Sequence, residues 1–443
     1  MSIPDVMAPQ LNFANQKRQS VAAVSRRIKS APTNGATQNA GGQLRFSIGG
    51  NQPRSYANLE ECYFKFKVTN NDTNTVEFDS GSAFSLFAGV DVLTAGSTLS
   101  SIKQYGLLMS LLLDSNSSVE HLSNVGHNLY GAAADGVRYH GASIGAGASR
   151  TVCLPWLLNG PVASTPQRYW YLGGVDDLQL VIDLEEAKTA FFQQAGGLEN
   201  SDIVISDAEL VFSTITLDPD AQAMIEQSLG PEPVFRILCQ DYQHASATLA
   251  SGVSSLTAPL GFSRSSLERV LITHRNSANI NDEQQVSLAN RCTSDLQNYN
   301  LSIAGVSVPA RAIVRDANSS EALAENLVAN HSLKSVQNSM NLLNAKQGTV
   351  GVAGAFTLAN GTLGTPGTIN TAEIGSAFFS VELEQLSGVS DRIFSGVDTR
   401  GKTVLYEGQY DTAPANMTVD FFASSTVAYT MSLAGSRTWI ATV

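Results

Sequence analysis

Charge is scarce in this sequence: Asp, Glu, Lys and Arg make up 15% of its 443 residues, well under the roughly 25% of an average soluble domain. Long apolar runs are missing as well. Nowhere do 18 apolar residues follow one another, and Pro4, Asp5 and Pro9 stand where a basic-then-apolar leader would begin. The expectation is a soluble chain with neither a membrane span nor a signal peptide. The four cysteines, Cys62, Cys153, Cys239 and Cys292, form no C-x-x-C pair, which argues against a zinc knuckle or a thioredoxin-type site and for buried free thiols. The six histidines supply neither H-E-x-x-H nor a closely spaced triad, and no G-x-x-x-x-G-K-[ST] loop occurs. Metal and nucleotide chemistry are therefore disfavoured, and neither a metal nor a cofactor is expected.

What is present is apolar and turn-rich: 43% hydrophobic residues, 36 glycines and 14 prolines. That composition excludes disorder over most of the chain and leaves room for two or three domains with real cores. The net charge is −12, yet residues 1–44 hold Lys17, Arg18, Arg26, Arg27 and Lys29 against Asp5 alone, so this stretch carries +4 and the remainder −16. A basic arm on an acidic body implies a polyanionic partner for the arm, nucleic acid or an anionic membrane surface, or else a solvated tail. Within the arm, Val21, Val24 and Ile28 fit a short amphipathic helix, and the Gly/Asn/Thr/Gln stretch after Pro32 fits a flexible strap.

From Leu59 the period becomes two: Cys62, Phe64, Phe66 and Val68 alternate with Tyr63, Lys65 and Lys67, as in a half-buried strand. Further strands are expected at Phe84–Leu93, Thr151–Leu158, Arg168–Leu172, Leu178–Leu184 and Asp207–Leu217, with one helical segment at Ser101–Leu113. Asp218-Pro219-Asp220, a short helix Ala221–Leu229 and Gly230-Pro231-Glu232-Pro233 read as a linker over 218–233. Strands then resume near Val234–Gln240, Leu267–His274, Tyr299–Val306, Phe378–Leu386, Lys402–Tyr410, Met417–Tyr429 and Arg437–Val443, with a helix about Ser320–Leu343 and a long Gly/Thr/Ala-rich surface excursion over 347–376. The two halves share an outline, and the absence of an alternating βαβ pattern points to antiparallel sandwiches.

Three stretches invite a chemical reading. Gly141-Ala142-Ser143-Ile144-Gly145 spells the G-x-S-x-G nucleophile elbow, but without α/β periodicity around it the pattern reads as a loop. The carboxylate pairs Glu60-Glu61, Asp176-Asp177 and Glu185-Glu186 lack the common face an acid–base pair needs. Arg168-Tyr169-Trp170-Tyr171 offers aromatic platforms for a sugar or a base, with a buried strand or subunit contact as the alternative.

Several stretches together resemble the double jelly-roll major capsid proteins of the adenovirus, tectivirus and polinton-like virus lineage. Ser100–Leu108 with Leu111–Asp114 looks like the short helix after an early strand of the first jelly roll; Leu301–Arg311 is similar to the family's strand, glycine, I/V-P hairpin; Asp391–Gly401 looks like its late S-G-hydrophobic-D/N-T loop. The resemblance implies an all-β protein of two tandem eight-stranded antiparallel jelly rolls with short helical insertions: a basic arm 1–44, a first jelly roll 45–217, a linker 218–233 and a second jelly roll 234–443. It further implies a non-enzymatic virion protein that trimerises into pseudo-hexameric capsomers and tiles an icosahedral shell. Its partners would be itself, minor or penton capsid proteins and, through Lys17, Arg18, Arg26, Arg27 and Lys29 on the inner face, the genome or an internal membrane. The alternatives are a single jelly-roll capsid protein with a projecting β domain, and a carbohydrate-binding sandwich using Tyr169, Trp170 and Tyr171.

Overall fold

A computed structural model describes residues 23–442 except 95–96, 118–120, 135–139, 156–159, 164–168, 232, 289, 293–295, 316–319, 330–374, 377, 385–394, 412–415 and 436. The excursion expected over 347–376 lies almost wholly outside the described residues.

Eight principal strands build the first half: Ala23–Ser30, Gln43–Gly49, Ser55–Asn70, Phe87–Thr94, Ser97–Lys103, Ser149–Leu154, Leu178–Leu184 and Ile203–Leu217. Counted in chain order, they form one sheet ordered first, eighth, third, sixth and another ordered second, seventh, fourth, fifth, all antiparallel. The second half repeats this with Val234–Leu249, Ser255–Pro259, Leu267–Asn276, Leu296–Ile303, Val306–Val314, Phe379–Glu382, Val404–Tyr410 and Met417–Ser432, again 1-8-3-6 and 2-7-4-5. That order, reached by long crossings between two sheets, is the jelly roll. Short strands extend the sheets, and one such pair, Asn290–Cys292 with Gly375–Ser376, is parallel, an exception to the otherwise antiparallel arrangement.

Alternation along the strands makes the cores. In the first sandwich Leu44, Phe46 and Ile48 face Phe64, Phe66 and Val68, with Leu180, Ile182, Leu210 and Phe212 completing the layer, all buried. Phe46 and Phe64 meet edge to face at 5.3 Å, a geometry their ring quadrupoles favour. In the second sandwich Val270, Ile272, Val419 and Phe421 face Leu301 and Tyr406.

The helix expected at Ser101–Leu113 begins four residues later, at Tyr105–Asn116, because Ser97–Lys103 is committed to pairing with the fourth strand and Gln104 turns the chain with φ 52°. Leu107, Leu108, Met109, Leu111, Leu112 and Leu113 are all buried, so this helix is enclosed on every side. Between the halves, Asp218 precedes a helix Pro219–Ser228 with Pro219 in its first turn, where proline's fixed φ starts a helix instead of breaking one. In the second half Ser320–Ala329 is helical, and the rest of the helix expected to Leu343 lies outside the described residues. The strand read as Tyr299–Val306 is a hairpin: Ala304 and Gly305 both have positive φ, the two-residue turn whose twist matches paired strands.

Candidate functional site

The basic residues of the arm separate. Lys17 and Arg18 lie outside the described residues. Arg26, Arg27 and Lys29 belong to the strand Ala23–Ser30, which corrects the helix expected there. This strand pairs residue by residue with the eighth strand, from Ala23 opposite Leu217 to Ser30 opposite Leu210. Pairing on one side satisfies half of the backbone groups of this edge strand, and the alternation seats Ile28 partly against the core while Arg27 and Lys29 point away. Arg27 lies 5.3 Å from the Tyr63 ring centre. Lys29 and Lys65 share Glu209, at 3.5 and 3.7 Å. Lys65 and Lys67, on the third strand, share the outward face with Arg27 and Lys29 because the eighth strand sets their register. The alternation in the sequence puts Lys65 and Lys67 on the outward side of a strand but does not join them to the arm.

The second notable locus is the junction between the sandwiches. Trp170 and Trp439 stack with ring centres 4.1 Å apart, Tyr429 meets Trp170 edge-on at 5.7 Å, and Tyr171 stacks on Phe235 at 4.6 Å. Trp439 Nε1 donates to the Tyr171 carbonyl at 3.1 Å. Trp170 is only 3% exposed and Tyr171 is buried, while Tyr169 is exposed; the aromatic run is a buried contact instead of a sugar platform. Buried charges also line the contact between the halves, away from the aromatic stack. Arg275 donates to Asp420 at 2.9 Å and to Gln104 of the first half at 3.5 Å, and His244 Nε2 sits 2.9 Å from Asp420. Burial opposes ionisation of Asp420, yet Arg275 and His244 together hold its carboxyl below the usual range. Asp79, wholly buried, accepts the N–H of Leu288 from the second half at 3.0 Å, and desolvation pushes its carboxyl up to about 7 against the pull of Arg275. Ser100 Oγ donates to Asp241 at 2.6 Å, and Arg264 pairs with Asp241 at 3.3 Å.

The catalytic pattern dissolves. Ser143 lies in the strand His140–Ile144, opposite Glu77, and is exposed on extended backbone where a nucleophile elbow would demand a strand-to-helix turn. Of the paired carboxylates, Asp177 is spent on accepting from Ser47 Oγ and the Gly49 N–H. His274 is fully buried, bonded to Tyr410 Oη at 2.9 Å, and held neutral by desolvation, which lowers it to about 3. Cys62, Cys153 and Cys239 form no disulfide, and burial raises the Cys62 thiol to about 12. Among the described residues no cluster of His, Cys, Asp or Glu is arranged to hold a metal, and no helix is long and apolar enough to cross a membrane.

The late loop of the second half acts as a clamp. From Ser395 onward it clamps the third strand of the second sandwich: Val397 bridges Leu267 in both directions at 2.8 and 2.9 Å, and Thr399 Oγ1 accepts the Arg264 N–H at 3.0 Å. Gly396 is required there because a Cβ would stand 2.4 Å from the Leu267 carbonyl oxygen.

No protein-family model and no curated protein matches this sequence. Solved structures do match over nearly the whole chain. The PBCV-1 virus capsid superposes at TM-score 0.61 with 8% identity, over 97% of this chain and 99% of that one. The Faustovirus major capsid protein superposes at 0.57 with 9% identity, over 94% and 92%. A chain of the Sputnik virophage structure superposes at 0.54 with 11% identity, over 100% and 93%. The likeness is one of fold: this chain carries two tandem jelly rolls in the arrangement of those capsid chains.

Proposed function

We propose that this chain is a viral major capsid protein that trimerises into pseudo-hexameric capsomers and tiles an icosahedral shell around a genome. One observation carries the reading: a single chain repeats the same eight-strand order twice and holds the two sandwiches together through a buried junction, so each chain supplies two equivalent tiles. Full-length likeness to viral capsid chains supports it. The protein is non-enzymatic in this reading, resides in the virion after assembly in the host cell, and has itself, neighbouring capsomers and minor or penton capsid proteins as partners. Its units are the arm 1–44, whose strand Ala23–Ser30 joins the first sheet, a first jelly roll to 217, a linker 218–233 and a second jelly roll 234–443. Contact with the genome or an internal membrane falls to the basic arm, Lys17, Arg18, Arg26, Arg27 and Lys29, of which Arg27 and Lys29 lie on the outward face of the first sheet.

A single shell domain with a dissimilar projection is disfavoured by the repeated strand order, and a carbohydrate site by the burial of Trp170. The test is negative-stain electron microscopy of the purified protein with its mass determined by light scattering. Pseudo-hexagonal particles of about three chain masses, or closed shells, are expected; a chain that stays monomeric under all assembly conditions would refute the reading.

A further inference from the structure

One loop of the second half belongs, by its contacts, to the first. Residues 277–288, between the strands Leu267–Asn276 and Asn290–Cys292, end in Val286, Ser287 and Leu288, all buried, and Leu288 packs in the apolar cluster built mainly by the first sandwich. Asp282 shapes the loop from within: its side chain accepts the Gln284 N–H and its carbonyl the Gln285 N–H, both at 3.0 Å. Five hydrogen bonds then fasten the loop across the junction. Thr189 Oγ1 donates to Asn281 Oδ1. The Gln193 N–H donates to the Glu283 carbonyl and the Gly197 N–H to Glu283 Oε1, each at 2.7 Å. Gln284 Nε2 donates to the Gln194 carbonyl at 3.1 Å, and the Leu288 N–H to Asp79 Oδ2 at 3.0 Å.

The last of these bonds differs from the others. Asp79 is 1% exposed, and its carboxyl accepts from two backbone N–H groups, those of Ser80 and Leu288. Arg275, the cation that acts on it, sends Nε and Nη2 to Asp420 and reaches Gln104, so it does not bond Asp79 directly. The other charged groups on the surrounding elements are mainly acids. His140 stands opposite Asp79 in the strand pair and lies 3.3 Å from Glu77. The chain around the short helix Ala187–Ala190 brings Glu185, Glu186 and Lys188, with Glu185 raised by its own burial. The loop brings Asp282 and Glu283, Arg291 pairs with Arg275 in register, and Asp420 with His244 stands behind Arg275. An ionised Asp79 is thus desolvated without a counter-ion of its own, and opening the loop lets water reach it.

We propose that residues 277–288 form a proton-controlled clasp, locked on the first sandwich while Asp79 carries a proton and opening locally once Asp79 ionises, with the halves still joined at Trp170 and Trp439. In the closed clasp burial pushes this carboxyl up to about 7, against an ordinary 3.8 once hydrated. Between those values the closed form holds a proton that the open form has released. Each unit of rising pH therefore multiplies the open population about tenfold, and the ratio is level below 4 and above 7. The clasp is tight in acid and loose at neutral pH, whether or not the chain forms capsomers.

Hydrogen–deuterium exchange of the full chain tests this, read by mass spectrometry at pH 5, 6, 7 and 8 and corrected for the intrinsic pH dependence of amide exchange. Protection of peptides covering 281–288 and Gly197 should fall about tenfold per unit from pH 5 to 7 and then level. It should stay below that of the core strand Leu178–Leu184, and about 1 M urea should lower the core's protection and leave the clasp's unchanged, because local opening exposes little surface. The variant Asp79→Asn should hold one level of clasp protection from pH 5 to 8. Clasp protection that does not change with pH in the parent overturns the proposal. So does protection that matches the core's at every pH and in urea, which would mean that the loop opens only when the whole chain unfolds. An Asp79→Asn clasp that follows pH as the parent's does would hand control to Glu283 or His140 and equally overturn it. If Asp79→Asn does not fold, the parent's profile decides alone.

Discussion

Replacing Asp79 with asparagine tests the chemistry of the junction directly. The carboxyl is wholly buried, bonded to the N–H groups of Ser80 and Leu288, and raised by desolvation to about 7 from an ordinary 3.8. A difference of that size, at 1.36 kcal/mol per unit, is about 4 kcal/mol. The folded protein holds this proton between pH 4 and 7 where the unfolded chain has released it. Its contribution to stability is therefore full below pH 4 and lost as pH rises through 7. Asparagine does not titrate; it brings only a fixed loss of about 1 kcal/mol for an imperfectly matched amide. D79N should thus be slightly less stable than the parent at pH 4 and more stable by about 3 kcal/mol at pH 8. His274, lowered to about 3, imposes the opposite slope below pH 6.5, but equally on both chains, so it cancels in the difference. Urea unfolding followed by far-ultraviolet circular dichroism at pH 5, 6, 7 and 8 reads this out. A gap between variant and parent that stays constant over that range would show that Asp79 does not titrate near neutrality, and the reasoning would be wrong.

H274Q should flatten the acid side of the stability profile: the parent loses stability as pH falls from 6.5 toward 3, where the unfolded histidine binds a proton that the buried one refuses, and the variant should not. W439A removes a stacked indole and its bond to the Tyr171 carbonyl and should cost about 3–5 kcal/mol, seen as a lower urea midpoint; an unchanged midpoint would mean the second half does not rely on this contact. G396A should cost about 1–3 kcal/mol, because its methyl meets the Leu267 carbonyl and the Val397 bridge must part. Thermal melts of G396A beside G401A set a clash on an ordinary backbone against a left-handed backbone, φ 68°, whose added methyl meets open space, and so separate the two costs.

How far the sequence reveals this fold depends on the range of the interaction. Leu178–Leu184 is a strand to the residue, and the alternation of Phe64, Phe66 and Val68 names the core face of the third strand correctly. Gln43–Gly49 is equally legible, with Leu44, Phe46 and Ile48 two apart, yet the reading ends the arm at 44 and expects no strand there. Apolar residues at positions 21, 24 and 28 suit a helical period, while the partner that makes Ala23–Ser30 a strand lies far off in the strand from Ile203 to Leu217. Nothing local joins Trp170 to Trp439 or Asp79 to Leu288, so the junction was invisible. For the same reason Lys65 and Lys67 could be placed on a strand face but not beside Arg27 and Lys29, since the intervening strand comes from the far end of the first half.

The helix Pro219–Ser228 and its flanks do more than separate two sandwiches. Tethering them turns the contact at Trp170 and Trp439 into an intramolecular encounter at an effective concentration in the millimolar range for a short connector. The surface is then formed in every chain whatever the protein concentration. This is the setting in which a junction tolerates groups that oppose association, such as the desolvated carboxyl of Asp79 and the Arg275–Asp420 pair. Cutting the chain within 219–228 and supplying the halves separately would expose how much of the junction's persistence belongs to the tether.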